Sequence, residues 1–233
     1  ICQSIISGVT VNSNEVLISV GNATLSTGPV SGSPFNFSPS APDATVNVSY
    51  TTSGTFNSGN VFTAQLSDAN GSFASPVTIG SVTATSSGLV NVTIPHTTPA
   101  GNGYRVRIVS SNPSLIGSDN GTDLIVDQFH NSIAPTATQS IPRLTNGTDL
   151  TATFSQSATL EWKYSYTSGG PYSTFTSGPE TNITYTPYFD VPGTYYVVCI
   201  ATNMYNDDVT SNEVQIDVAN GSTLTTATVA GSP

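Results

Sequence analysis

Charge is the scarcest property of this sequence. Charged residues make up 8% of its 233 residues, against about one quarter in a typical soluble domain. Only four are cationic, Arg105, Arg107, Arg143 and Lys163. Four scattered cations exclude nucleic acid as a partner, because affinity for a phosphate backbone comes mainly from Lys and Arg contacts. The same shortage excludes an anionic membrane surface. No apolar run approaches the roughly 20 residues of a membrane helix, so no membrane insertion is expected. The start, Ile1-Cys2-Gln3-Ser4, is neither Met nor a basic n-region, which reads as a processed, secreted chain. There are two histidines, His96 and His130, and no His-Glu-x-x-His, Gly-x-Ser-x-Gly or phosphate-loop pattern. With acidic residues single and mostly beside turns, the sequence offers no catalytic set, and a non-enzyme without cofactor is expected. Two cysteines, Cys2 and Cys199, permit one bridge and cannot form a zinc site by themselves.

What the chain has instead is β-forming residues wetted by Ser, Thr, Asn and Gly. Period-2 alternation bounded by Gly, Pro, Asn and Ser recurs throughout, and helical periodicity is nearly absent. The fold class is therefore all-β, as two tandem β-sandwich domains. In the first two thirds, strands are predicted over 16–20, 45–51, 60–67, 77–83, 89–94, 104–110 and 122–126. A second set is predicted over 149–154, 159–166, 181–186, 194–202 and 213–218. This divides the chain into an N-terminal β segment (1–28), a sandwich (29–130), a linker (131–140), a second sandwich (141–219) and a C-terminal tail (220–233). The linker lacks alternation and carries Pro135 among small polar residues.

One constellation marks the second domain as Ig-like. Trp162 precedes Cys199 by 37 residues, and Cys199 ends the run Gly193-Thr194-Tyr195-Tyr196-Val197-Val198-Cys199. In Ig-like sandwiches a Trp on strand C packs against a Cys on strand F, reached by a corner containing Gly and Tyr. The bridging Cys of strand B is missing, since 149–154 offers only Ala152. Cys199 is then a free buried thiol or bonds to Cys2.

Ser118-Asp119-Asn120-Gly121-Thr122-Asp123 presents side-chain oxygens across a Gly turn. That makes Asp119 and Asp123 a calcium candidate, though turn chemistry alone explains the pattern. Asn206-Asp207-Asp208 reads the same way. Nine Asn-x-Ser/Thr sequons occur where roughly six arise by chance. Asn22, Asn47, Asn91 and Asn182 are the glycosylation candidates among them. Tyr164, Tyr166, Tyr172, Phe175, Tyr185, Tyr188 and Phe189 crowd the second domain. Alternation puts Trp162, Tyr164 and Tyr166 on one strand face, so core packing is favoured over a sugar-stacking surface unless a bulge or strand end intervenes.

Two stretches carry a family resemblance. The run 58–73, Ser58-Gly59-Asn60-Val61-Phe62 through Gly71-Ser72-Phe73, followed by Gly101-Asn102-Gly103-Tyr104-Arg105-Val106-Arg107-Ile108, resembles modules repeated in large secreted surface proteins of Bacteroidetes. Trp162-Lys163-Tyr164, Gly169-Gly170-Pro171-Tyr172 and Ser211-Asn212-Glu213-Val214 resemble their Ig-like or PKD-like companion. The resemblance implies export to the cell surface and a non-enzymatic role in adhesion or spacing, with no catalytic residues to carry over. Such modules usually sit in very long chains, and an end at Pro233 favours a protein complete by itself.

The N-terminal segment carries the sharpest functional expectation. Ile5, Ile6, Val9 and Val11 lie in an apolar, β-prone stretch before the first module. Such a segment can complete the sheet edge of a neighbouring subunit. Head-to-tail addition need not close and builds a fibre, and Cys2 of one subunit could then bond Cys199 of the next. The alternative is that 1–20 forms strands of its own domain. The tail 220–233 has a composition that frays unless held. The leading expectation is an extracellular, cell-surface structural protein, a subunit of an adhesive or pilus-like fibre and a homo-polymer, facing a carbohydrate or host-surface ligand. The alternative is a carbohydrate-binding module of a secreted polysaccharide-degrading system.

Overall fold

Alternating sequence becomes strand wherever one face can be buried, and the computed structural model contains no helix among its described residues. It describes residues 3–6, 9–12, 22–175 and 180–220. Among them are β1 (Gln3–Ile6), β2 (Val9–Asn12), β3 (Thr24–Thr27), β4 (Phe35–Phe37), β5 (Ala44–Ser53), β6 (Val61–Leu66), β7 (Val77–Thr83) and β8 (Gly88–Ile94). Then come β9 (Gly101–Tyr104), β10 (Val106–Ser111), β11 (Ser114–Asp119), β12 (Leu124–Gln128), β13 (Asn131–Ala134), β14 (Gln139–Pro142) and β15 (Leu150–Phe154). The last six are β16 (Ala158–Ser165), β17 (Ser173–Thr174), β18 (Thr184–Tyr185), β19 (Gly193–Asn203), β20 (Asp208–Thr210) and β21 (Val214–Ala219).

The chain divides into two compact units: Ile1–Gly32, Thr45–Thr93 and Gly103–Leu124 form one, and Ser33–Ala44, Ile94–Asn102 and Ile125–Pro233 the other. In the first, sheet β11-β10-β6-β7 and sheet β3-β5-β8 make the two layers of a sandwich. Strict alternation on β6 buries Phe62, Ala64 and Leu66. Phe62 packs with tilted rings 4.3 Å from Tyr50 and 5.1 Å from Phe56, centroid to centroid. Truncating a ring this deep costs about 3–5 kcal/mol. Gly80 lets β7 approach β8, since a Cβ there would stand 2.3 Å from the Asn91 carbonyl oxygen.

The second unit holds the Ig-like sandwich. Its sheets are β13-β15-β18 and β14-β21-β19-β16-β17, with β20 added to β19. This is the A-B-E and A′-G-F-C-C′ arrangement of an Ig-like domain, with β16 as strand C and β19 as strand F. β14 runs parallel to β21, Gln139 opposite Ile216, as an A′ strand runs beside G. Trp162 lies directly opposite Cys199 across β16 and β19, and both are 0% exposed in a core with Leu150, Ala152, Val197 and Ile216.

Residues 131–140, expected as a linker, instead supply β13 and β14. The alternation there is too short to read, but Ile133 and Ile141 are buried in the core. The Asn212 side chain clamps Ile133, accepting from its amide at 2.8 Å and donating to its carbonyl at 3.1 Å. The strand predicted over 181–186 shrinks to β18, two residues long. The predicted strand 16–20 and the tail from 221 lie outside the described residues.

Candidate functional site

An aromatic cleft lies on the Ig-like sandwich. It measures about 590 Å³ and is lined among the described residues by Tyr164, Tyr166, Phe175, Tyr185, Tyr188 and Tyr195, with the carboxylates Glu180 and Asp190. Strand C starts it. Trp162 is sealed in the core, Tyr164 is half-buried, and Tyr166, just past the last residue of β16, is 64% exposed. The expected one-face burial of these three therefore stops where the strand stops.

The cleft has a buried base and an exposed rim. Tyr185, Phe189 and Tyr195 are buried, while Tyr166, Tyr188 and Val191 are exposed. Phe189 stacks on Tyr195 at 3.8 Å, and Tyr164, Phe175 and Tyr185 stack in series at 4.9 and 4.8 Å. Tyr166 meets Tyr164 edge-on at 5.6 Å and tilts against Tyr195 at 5.2 Å. Each ring thus limits the motion of the next.

Backbone bonds hold the rim. The Trp162 indole donates to the Asn182 carbonyl at 2.7 Å, and the Trp162 amide to the Glu180 carbonyl at 2.9 Å. The Tyr195 hydroxyl donates back to the Val191 carbonyl at 2.8 Å, which acts as the tyrosine corner of an Ig-like fold. Leu144 and Gly147 amides donate to the Phe189 and Pro187 carbonyls, each at 2.8 Å. Burial pushes the Tyr195 phenol up to about 12, with Tyr166 and the Asp190 charge adding to it. Tyr185 is raised mainly by burial, with the Glu180 charge contributing. Both carboxylates thus act on phenols of the cleft, and neither has a cationic partner among the described residues.

The sequence-predicted positions fare differently. Cys199 is a free, buried thiol at 0% exposure, and Cys2 lies outside the described residues. Ile5, Ile6, Val9 and Val11 belong to β1 and β2, an antiparallel two-stranded sheet with Ile6 opposite Val9. The segment is a ribbon and not a single extended strand.

Asp119 and Asp123, the calcium candidates, share one cationic partner. The Arg105 Nε lies 2.7 Å from Asp123 and its Nη1 3.5 Å from Asp119. Asp119 also accepts from the Gly121 amide at 2.8 Å. Asp208 accepts from the Thr202 hydroxyl of its own hairpin at 2.6 Å, while Asp207 accepts from the distant Ser40 amide at 3.0 Å. Asn22, Asn47, Asn91 and Asn182 are all exposed. Asn47 and Asn91 are 3.3 Å apart and hydrogen-bonded to each other. Asn120, in another sequon, is buried.

Neither histidine is set beside a nucleophile. His96 gives both its amide and Nδ1 to Asp43, at 2.9 and 2.8 Å. His130 Nδ1 faces the Gln128 carbonyl at 3.1 Å and Asp127 at 3.6 Å, while Ser155 Oγ is held by the His130 amide. Sequence reading missed the convergence of Glu180 and Asp190 on one cleft. Their position beside Tyr185 and Phe189, in a stretch dense with rings, was the available signal.

No protein-family model matches the chain, and no curated protein does. Among solved structures it is similar to three N-terminal domains of the bacteriophage RB49 Highly Immunogenic Outer Capsid protein (Hoc), at 11% identity over 84% of this chain and TM-score 0.32. The chain spans 58% of the length of that protein. It is also similar to fibronectin(III)-like modules of Clostridium thermocellum CbhA, at 15% identity over 85% of this chain and 94% of that one, TM-score 0.26. Chicken CNTN1 FN1–FN3 domains match at 15% identity over 83% of this chain and 67% of that one, TM-score 0.37. None of these ties the chain to Bacteroidetes surface proteins.

Proposed function

We propose that this is a non-catalytic extracellular protein of the cell-surface adhesin kind, whose Ig-like sandwich binds carbohydrate in the tyrosine cleft. The observation that carries this reading is the exposure of Tyr166 and Tyr188, 64% and 50%, on the rim of a cleft of about 590 Å³. Ligand sites are concave, mostly apolar and in this size range, with a few polar groups that fix orientation. A sugar ring offers a flat C–H face to a tyrosine face and hydroxyls to Glu180 and Asp190. The low-charge Ser/Thr/Asn surface and the resemblance to Bacteroidetes surface modules support an extracellular setting.

The test is isothermal titration against a panel of soluble oligosaccharides, with product analysis of the same mixtures. Tyr166→Ala and Tyr188→Ala are each expected to weaken binding about tenfold, the upper worth of one aromatic contact, with thermal stability unchanged. Two carboxylates in one cleft are also what glycoside hydrolysis requires. Cleavage of a bound oligosaccharide that Glu180→Gln abolishes would overturn the non-catalytic reading.

A second reading is favoured by the N-terminal ribbon: β1 and β2 pair with each other and with no other described strand. A two-stranded sheet is marginal by itself, and its free edges suit strand addition to a second copy. Head-to-tail association of this kind makes the protein a fibre subunit that displays the cleft.

A further inference from the structure

We infer that the cleft selects sugars bearing a free ammonium group, of the de-N-acetylated amino-sugar class, over neutral and anionic sugars. This rests on the carbohydrate reading of the cleft and specifies its ligand. The first observation is charge. Glu180 and Asp190 line the cleft, and no Lys or Arg does so among the described residues. Lys163 is tied to Glu161 at 3.2 Å, and Arg105 to Asp123 at 2.7 Å. A uronate or sulfated sugar would therefore meet two like charges and no counter-charge. A neutral sugar meets no penalty, and an ammonium meets two carboxylates.

The second observation is the ring set. Cations are attracted to the faces of aromatic rings within about 6 Å of the centroid, the principle behind aromatic cages for alkylammonium ligands. Tyr166 and Tyr188 present exposed rings at the rim, and Tyr164, Phe175 and Tyr195 sit behind them within the same cleft. One group of residues thus offers a stacking face to the sugar ring and an electron-rich wall with two anions to its amine. Acetylating that amine removes the charge and keeps the ring, so matched sugars isolate the effect.

The experiment compares short glucosamine oligomers with N-acetylglucosamine oligomers of equal length at low salt, on the full chain. The free-amine series is expected to bind roughly three- to tenfold more tightly, the yield of two exposed charge contacts, and the gap should narrow at high salt. Because the whole chain carries a net charge of -10, a cation could gather on it without using the cleft. Glu180→Gln with Asp190→Asn answers this: the preference should vanish although most of the net charge remains. Retention of the preference in that double variant overturns the proposal, as does equal affinity for the two series in the wild type. Equal affinity that Tyr166→Ala still lowers would refute only the amine selectivity. An absence of binding by every oligomer would refute the carbohydrate reading beneath it.

Discussion

Burial pushes the Cys199 thiol up to about 11, and its sulfur sits on strand F opposite Trp162. The thiolate is the reactive form, so both the raised pKa and the lack of access protect it. In a Cys2→Ser variant, Cys199 should resist an aromatic disulfide reagent in native buffer at pH 8 and react fully in denaturant. A native rate like that of a free thiol would show that the core opens there. Asn120 is the polar counterpart. Its Oδ1 accepts from the Val106 amide at 2.8 Å and its Nδ2 donates to the Thr122 carbonyl at 2.7 Å. Asn120→Ala leaves a buried amide unpaired, so chemical denaturation should register a loss of about 1–3 kcal/mol. The same bonds keep this sequon unmodified, and a glycan on Asn120 in material from the native source would contradict the packing. At this scale the sequence was legible where two residues of special type recur at a familiar spacing, as with Trp162 and Cys199. It was silent on Asn131, whose amide reaches the Cys199 carbonyl at 2.8 Å across 68 residues of chain, because no local pattern encodes so distant a partner.

Strands with a full alternating face could be read nearly to their ends: β7 matches the predicted 77–83, and β15, β16 and β21 fall within a residue or two of theirs. Edge elements could not, since β3, β4, β14 and β17 are two to four residues long and exist only through a partner strand. The turn after strand C is of the same kind. Glu213, just before β21, accepts from the Ser168 hydroxyl, the Gly169 amide and the Tyr172 hydroxyl at 2.7, 2.7 and 2.5 Å. Burial works to raise the Glu213 carboxyl, but the bonds from Tyr172, Ser168 and Gly169 outweigh it and hold it below the ordinary value of 4.5. A carboxylate depressed in the folded state stabilises above its unfolded pKa, and that contribution is lost as pH falls through the folded one. The melting temperature should therefore drop below about pH 4.5, and Glu213→Gln should flatten that part of the profile. Tyr172 gives the opposite limb. Burial, with the Glu213 bond added, pushes its phenol from 10 up to about 12. The stability it adds is complete below 10 and declines as pH climbs toward 12, which Tyr172→Phe should remove. A profile that Glu213→Gln leaves unchanged would mean the turn does not depend on this carboxylate.

For the whole molecule the open term is association. With ion pairs few among the described residues and all partly exposed, contact between copies has to come from backbone pairing and apolar burial, which respond little to salt. The β1–β2 ribbon is the part suited to that. Its register sets Ser4 opposite Val11 and Ile6 opposite Val9, and neither strand pairs with another described strand, which suits the edges to strand addition. A chain lacking residues 1–12 keeps β3 to β21, so its melting temperature and sugar binding should equal those of the full chain. Sedimentation velocity should then show concentration-dependent oligomers for the full chain, persisting at high salt, and a monomer for the truncated one. Since the ribbon and not Cys199, which is free and buried, would make the contact, Cys2→Ser should leave those oligomers unchanged. A full chain that stays monomeric throughout the micromolar range would end the fibre reading and leave the tyrosine cleft as the functional element. Oligomers that survive the truncation would place the contact elsewhere, because removing the ribbon removes its edges.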